Sequence, residues 1–134
     1  MSRMLFVNLP VADPAASRSF FAELGFEFNE QFTDENAACM VVNEHTSVML
    51  LARSYFATFT DKAIVDPQTQ VQTLLALSAE SRGEVDELAE AAIARGGKEA
   101  REPRDLGFMY QRAIQDLDGH VWEIAHMDMA AMEG

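Results

Sequence analysis

Gln115-Asp-Leu-Asp-Gly-His-Val-Trp-Glu-Ile-Ala125 is the stretch whose reading decides the fold. Asp116-Leu-Asp-Gly119 reads as a tight turn, because Gly takes positive φ without a Cβ clash and Asp side chains bond nearby backbone amides. An apolar-rich run, residues 108–114, precedes it, and a run of β-formers, residues 120–125, follows. Two such runs about an Asp-x-Asp-Gly turn make a β-hairpin. Alternation puts Val121, Glu123 and Ala125 on one face of the second arm, and His120, Trp122, Ile124 and His126 on the other. An acid on a largely apolar strand must be paired, hydrogen-bonded, protonated or metal-bound. Glu123 therefore poses the chemical question of this chain.

Working back from the hairpin, residues 98–103 read as a polar strand or edge segment. Gly96-Gly97 stops a helix over residues 82–95, with Val85, Leu88, Ala89, Ala92 and Ile93 on one stripe. Residues 71–78 form an apolar strand. The first half repeats this order. Residues 4–9 form a strand that Pro10 ends. Asp13 is an N-cap with Pro14 in the first turn of a helix over residues 14–24, and Gly25 follows as its C-cap. Phe26, Phe28 and Phe32 alternate with polar residues as a half-buried strand does. Residues 33–36 turn, and strands over 37–42 and 46–52 flank the Asn43-Glu-His45 turn. Residues 54–59, with Tyr55, Phe56 and Phe59, form a surface helix or flap. Residues 61–70 are polar, contain Pro67 and read as a linker. Strand, helix, then three strands thus occurs twice, giving an α+β fold of two paired βαβββ modules. Module one spans 1–60, the linker 61–70 and module two 71–134, together one domain over 1–134. A module this small buries its sheet poorly alone, so the two are expected to pack together. The tail, residues 127–134, frays or packs on a neighbour.

The chain has 134 residues, 49% of them hydrophobic, enough for one domain with a sizeable core. Ten basic against 22 acidic residues give a net charge of −12. That excludes nonspecific binding to nucleic acid or an anionic membrane, since both reward a basic face. No apolar run approaches the ~18–20 residues of a membrane span. The opening residues turn strand-like too soon for a secretory signal. Cys39, alone in Ala37-Ala-Cys-Met-Val-Val42, forms no intrachain disulfide and reads as a buried small residue. A cytoplasmic protein is expected. No nucleophile triad stands in a hydrolase context. Gly96-Gly97 follows a helix, whereas a phosphate loop would precede one.

Three stretches carry a family resemblance. Phe6-Val-Asn-Leu-Pro-Val-Ala-Asp13 and Ser19-Phe-Phe-Ala-Glu-Leu-Gly-Phe26 resemble the opening strand, Asp-led helix and helix end of the vicinal oxygen chelate superfamily, the glyoxalase/bleomycin-resistance/extradiol-dioxygenase group. Residues 71–78 and 82–97 resemble its second-module start. Asp116-Leu-Asp-Gly-His-Val-Trp-Glu123 resembles its closing Asp-Pro-Asp-Gly-x-x-x-Glu signature, with Leu117 in place of Pro. The resemblance implies a curved, cup-like mixed sheet, a homodimer, and a divalent metal in the cup. By motif offset its four ligand positions are Phe6, Leu50, Leu74 and Glu123. Only Glu123 binds metals, whereas a catalytic zinc needs three protein ligands. His45 falls in a turn, and His120 and His126 share the face opposite Glu123. The expectation is therefore no metal and no other cofactor.

Without metal, Glu123 is the candidate catalytic residue, a general acid or base if desolvation raises its pKa. Alternatively it orients a ligand, or plays a purely structural part by accepting hydrogen bonds from Tyr110, Arg112 or Asn8. Tyr110 and Arg112 share a strand face by parity, and Arg112 could grip a carboxylate or phosphate, or make a surface salt bridge instead. Asn8, Tyr110, Arg112 and Glu123 are the candidate ligand-binding set. Trp122 reads as a core anchor, and the eight methionines as core filling or an adaptable pocket wall. Binding of a small, partly apolar molecule in the cup is the leading reading. The alternatives are a metal-dependent, lactoylglutathione-lyase-like or dioxygenase-like enzyme, and a dimeric scaffold with no small ligand.

Overall fold

The computed structural model describes residues 3–130. The chain forms two compact units, divided between Ile64 and Val65.

In the first unit, β1 (Leu5–Val11) leads to α1 (Pro14–Glu23), then β2 (Glu27–Phe28), β3 (Ala37–Asn43), β4 (Thr46–Ala52) and the short α2 (Arg53–Phe56). The sheet order is β1-β4-β3-β2, with β1 parallel to β4 and the other pairs antiparallel. Asp13 caps α1 as its residue type predicts, its carboxylate accepting from Ala15 N at 3.0 Å. Gly25 follows the C-cap at φ +99°, where a Cβ would be strained. Leu9, Val11, Phe20, Phe21, Met40, Val48 and Leu50 are core residues, and Cys39 is buried as expected.

Two local expectations need correction. Pro10 does not end β1 but lies within it, opposite Leu51. An edge strand tolerates a residue without an N–H donor. Phe32 does not continue the β2 strand. Asn29 accepts from Gln31 N at 3.0 Å and starts a single 3-10 turn over Glu30–Phe32. The local side-chain cap wins over the period-2 pattern because only two residues of β2 find a partner strand.

The second unit repeats the topology. Its elements are β5 (Leu74–Ser78), α3 (Arg82–Ala94), β6 (Lys98–Asp105), β7 (Met109–Gln115) and β8 (Val121–Met127), in sheet order β5-β8-β7-β6. β5 is parallel to β8, as β1 is to β4. It starts three residues later than the apolar run suggests, and Val71 is exposed. Ser81 caps α3 by accepting from Glu84 N at 3.0 Å, and Glu84 accepts in return from Glu80 N. Val85, Ala89 and Ala92 are fully buried under α3, whereas Ile93, placed on the same stripe by periodicity, is exposed. The tail expectation is partly corrected. β8 runs through Met127, and Asp128 N donates to Phe108 O at 2.6 Å, so the chain stays tied there. Residues 131–134 lie outside the described residues. Among the described residues no helix is long and apolar enough to cross a membrane.

Candidate functional site

The hairpin at residues 115–121 is built around Asp116. Its carboxylate is buried and accepts from Asp118 N at 2.9 Å, His120 N at 3.0 Å and Trp122 Nε1 at 3.0 Å. Burial pushes the Asp116 carboxyl above its ordinary range, opposed by the nearby His120 and the Trp122 hydrogen bond. Gly119 sits at φ +94°, and a Cβ there would stand 2.7 Å from the Pro67 carbonyl oxygen. The turn thus closes as its residues predict, and Trp122 is the buried anchor expected of it.

From that turn β8 delivers Glu123 to one face of the sheet. Register pairs Glu123 with Ala113 on β7 and with Ala76 on β5, and pairs Arg101 on β6 with Ala113. Paired residues point the same way, so Arg101, Gln111, Ala113, Glu123, Ala125, Leu74 and Ala76 share one face. Trp122, Ile124, Tyr110, Arg112 and Ile114 take the other, which α3 covers. On the first face Arg101 Nη2 donates to Glu123 Oε2 at 3.0 Å and to Gln111 Oε1. Arg101 Nη1 makes only a long contact with Glu102 O, at 3.4 Å. The two charged side chains keep 27% (Arg101) and 19% (Glu123) of their surface exposed, so the pair is sheltered yet reachable.

Tyr110 and Arg112 do share a face, as parity requires, but it is the α3 face. Tyr110 Oη donates to Asp86 Oδ1 at 2.6 Å, which pushes the phenol up from its ordinary pKa. Arg112 donates to Glu90 at 2.7 Å, Glu99 at 3.0 Å and Asp86 at 3.3 Å. Burial alone would lower its pKa, but these acids outweigh it and leave the guanidinium more firmly charged. Arg112 is 9% exposed, and among the described residues its Nε has no partner. Asn8 lies exposed on β1 in the first unit, opposite Met49. Of the four candidates, the structure brings Tyr110 and Arg112 together under α3 and places Glu123 with Arg101 instead.

The residues do not fit a divalent ion of the family type. Phe6, Leu50 and Leu74 carry no donor atoms, and Glu123 is engaged by Arg101. Register also pairs Phe6 with Ser47 and Leu50 with Leu9, so Phe6 and Leu50 point to opposite faces of their sheet. His126 Nδ1 lies 3.1 Å from Ala79 O. Among the described residues no three of His, Cys, Asp and Glu cluster as a metal site.

Sequence reasoning missed Arg101 and Gln111. β6 is polar apart from Ala100 and Pro103, so alternation has little apolar reference, and register shifts on both sides of Arg101 break the parity count. The signal available was indirect: a carboxylate on an apolar strand demands a cation from a neighbouring one.

Residues 3–43 match the family described as bleomycin resistance protein-like N-terminal. No curated protein sequence matches the chain. Among solved structures, a hypothetical protein from S. aureus is 24% identical over 94% of both chains, with a TM-score of 0.80. A glyoxalase-related enzyme from Fulvimarina pelagi is 22% identical over 94% of this chain and 88% of its own, at 0.79. A glyoxalase/bleomycin resistance protein/dioxygenase family enzyme from Burkholderia phytofirmans is 20% identical over 94% of this chain and 99% of its own, at 0.77. The repeated βαβββ topology and its agreement with these structures over nearly the whole chain show that the protein has the glyoxalase/bleomycin-resistance fold, and residues 3–43 are similar to the N-terminal part of bleomycin resistance-like proteins.

Proposed function

We propose that this protein binds a small, partly apolar molecule on the face of its second sheet turned away from α3, without a resident metal. The reading rests on the Arg101–Glu123 pair. A half-sheltered ion pair, held by Gln111 on a sheet face that also carries Leu74, Ala76, Ala113 and Ala125, gives little stability for its desolvation. It is the pattern of a ligand site, where a few convergent polar groups stand among small and apolar walls. The donor chemistry at Phe6, Leu50 and Leu74 speaks against the metal. The protein is taken to act as a homodimer, as the resemblance implies, and in the cytoplasm, as its composition leads one to expect.

The test combines metal analysis with ligand screening. Purified protein incubated with Ni²⁺, Zn²⁺, Mn²⁺ or Fe²⁺ is expected to retain no stoichiometric metal after desalting. A thermal-shift panel of small aromatic and aliphatic molecules is expected to raise Tm, since ligand at a hundredfold its Kd adds about 2.7 kcal/mol. Stoichiometric metal that is lost in Glu123→Gln would replace this reading with a metal-dependent lyase or dioxygenase. A stable dimer that responds to no ligand would leave a scaffold.

A further inference from the structure

The methionines divide by exposure. Met40 is fully buried in the first unit, whereas Met127, at the end of β8, leaves 46% of its surface exposed. Register sets Met127 directly opposite Met109 on β7, which is partly exposed. Counted by alternation from Gln111 and Ala125, both thioethers stand on the face that carries Glu123, away from α3. They lie at the end of the hairpin remote from the Asp116–Gly119 turn. Asp128 N donates to Phe108 O at 2.6 Å, so the strand end that bears Met127 is held in place. Met4 and Met129 are exposed as well, but Met4 precedes β1 in the other unit and Met129 lies beyond the end of β8. Two flexible apolar side chains with reachable sulfur atoms thus line one end of the proposed binding face.

We propose that Met109 and Met127 form a peroxide-sensitive modification site whose oxidation weakens ligand binding on this face. This rests on the ligand-binding reading above and adds its regulation. Hydrogen peroxide is the oxidant. A sulfur lone pair of Met127 attacks one peroxide oxygen, the O–O bond breaks, and the transferred oxygen stays on sulfur. The departing hydroxide takes the proton that the transferred oxygen carried and leaves as water. Each sulfur loses two electrons to one peroxide. The sulfoxide replaces a flexible apolar group with a polar, chiral one, and reductases reverse it. Its oxygen is solvated on the open face. A partly apolar ligand that covers it strips that water and returns no hydrogen bond, so binding weakens. Met40 and Cys39, both buried, stay out of the oxidant's reach.

The test uses the whole chain and a neutral fluorescent probe, N-phenyl-1-naphthylamine. Amide chemical shifts at Gln111, Glu123 and Ala125 report whether the probe sits on this face. Peptide mass mapping after peroxide treatment locates the added oxygen, expected on Met127 and absent from Met40. Probe affinity is then expected to fall at least about fourfold, the scale of one buried methylene, and to return after methionine sulfoxide reductase treatment. Whatever the starting affinity of Met109→Leu/Met127→Leu, peroxide is expected to leave it unchanged, since Met4 and Met129 remain but no thioether stands on the face. Where the double variant folds poorly, Met127→Leu alone is expected to lose less affinity on treatment than wild type. Wild type that carries the Met127 oxygen yet binds as before would overturn the proposal and leave the ligand-binding reading in place. An equal loss in the variants, or peroxide that leaves Met127 unmodified, would do the same. A probe that shifts none of the three amides in untreated protein would sink both.

Discussion

At the residue scale, Asp116 does the most with one side chain. Its three acceptor contacts tie the turn, the first residue after it and the Trp122 ring into one unit. Asp116→Asn keeps the oxygen facing the backbone amides but turns an NH₂ toward the indole N–H. The buried indole then loses its Asp116 acceptor, and urea denaturation is expected to show a loss of about 1–3 kcal/mol. The pH dependence has a defined sign. Burial raises the Asp116 pKa above 3.8, so the stability tied to its protonation is full below that value and is lost as pH rises through the folded-state pKa. The stability advantage of wild type over Asp116→Asn should therefore shrink with rising pH above 3.8, and comparing their denaturation midpoints at acidic and neutral pH checks this. Gly119→Ala would force a Cβ against the Pro67 carbonyl at positive φ, and a lowered Tm is expected.

At the element scale, α3 is held to the sheet by apolar contact and by a set of acids converging on Arg112. Arg112→Met removes charge-assisted hydrogen bonds to three partners, Asp86, Glu90 and Glu99, that remain partly solvated. Each such bond is worth about 1.5–3 kcal/mol in full, but solvent around the acids reduces that, and a net loss of about 2 kcal/mol is expected by chemical denaturation. Tyr110→Phe, which frees only an exposed phenol bond to Asp86, should lose less. Because both side chains lie on the α3 face, neither change is expected to alter ligand affinity on the opposite face. Titration of the two variants with the best ligand checks that, and a large affinity change in a normally folded Tyr110→Phe would mean that the ligand sits under α3. A second tie joins the start of α3 to the end of β6, where the Arg82 hydrogen bond holds the Asp105 carboxyl at about 2. Its contribution is present above the ordinary Asp range and fades only as pH falls toward 2.

At the scale of the whole molecule, the excess of negative charge governs how stability responds to salt. Twenty-two acids against ten bases repel one another in the folded state more than in the expanded chain. Raising ionic strength from about 0.01 M to 0.15 M cuts the Debye length from about 30 Å to 8 Å and screens that repulsion. Tm is therefore expected to rise with NaCl over this range. A Tm that falls instead would mean that ion pairs such as Arg112 with its acids outweigh the net repulsion. The same charge makes a neutral or cationic partner easier to accommodate than an anionic one.

The order of elements, the helix caps at Asp13 and Ser81, the Asp116–Gly119 turn and the buried role of Trp122 were determined by local sequence, although the Ser81 cap, like that of Asn29, was identified only on the structure. Each depends on interactions within a few residues, where spacing and residue type carry the physics. The odd position of Glu123 was equally legible, because alternation within one strand needs no partner. Its partner was not. Arg101 stands twenty-two positions earlier on a polar strand with register shifts, and only strand pairing brings its guanidinium 3.0 Å from Glu123. Parity joined Tyr110 to Arg112 but left their face open, and the acids of α3 settled it. Tertiary structure decides such matters because a β-strand's local pattern says which side chains share a face, while the choice of face and of cross-strand neighbour depends on what packs above the sheet and which strand lies alongside.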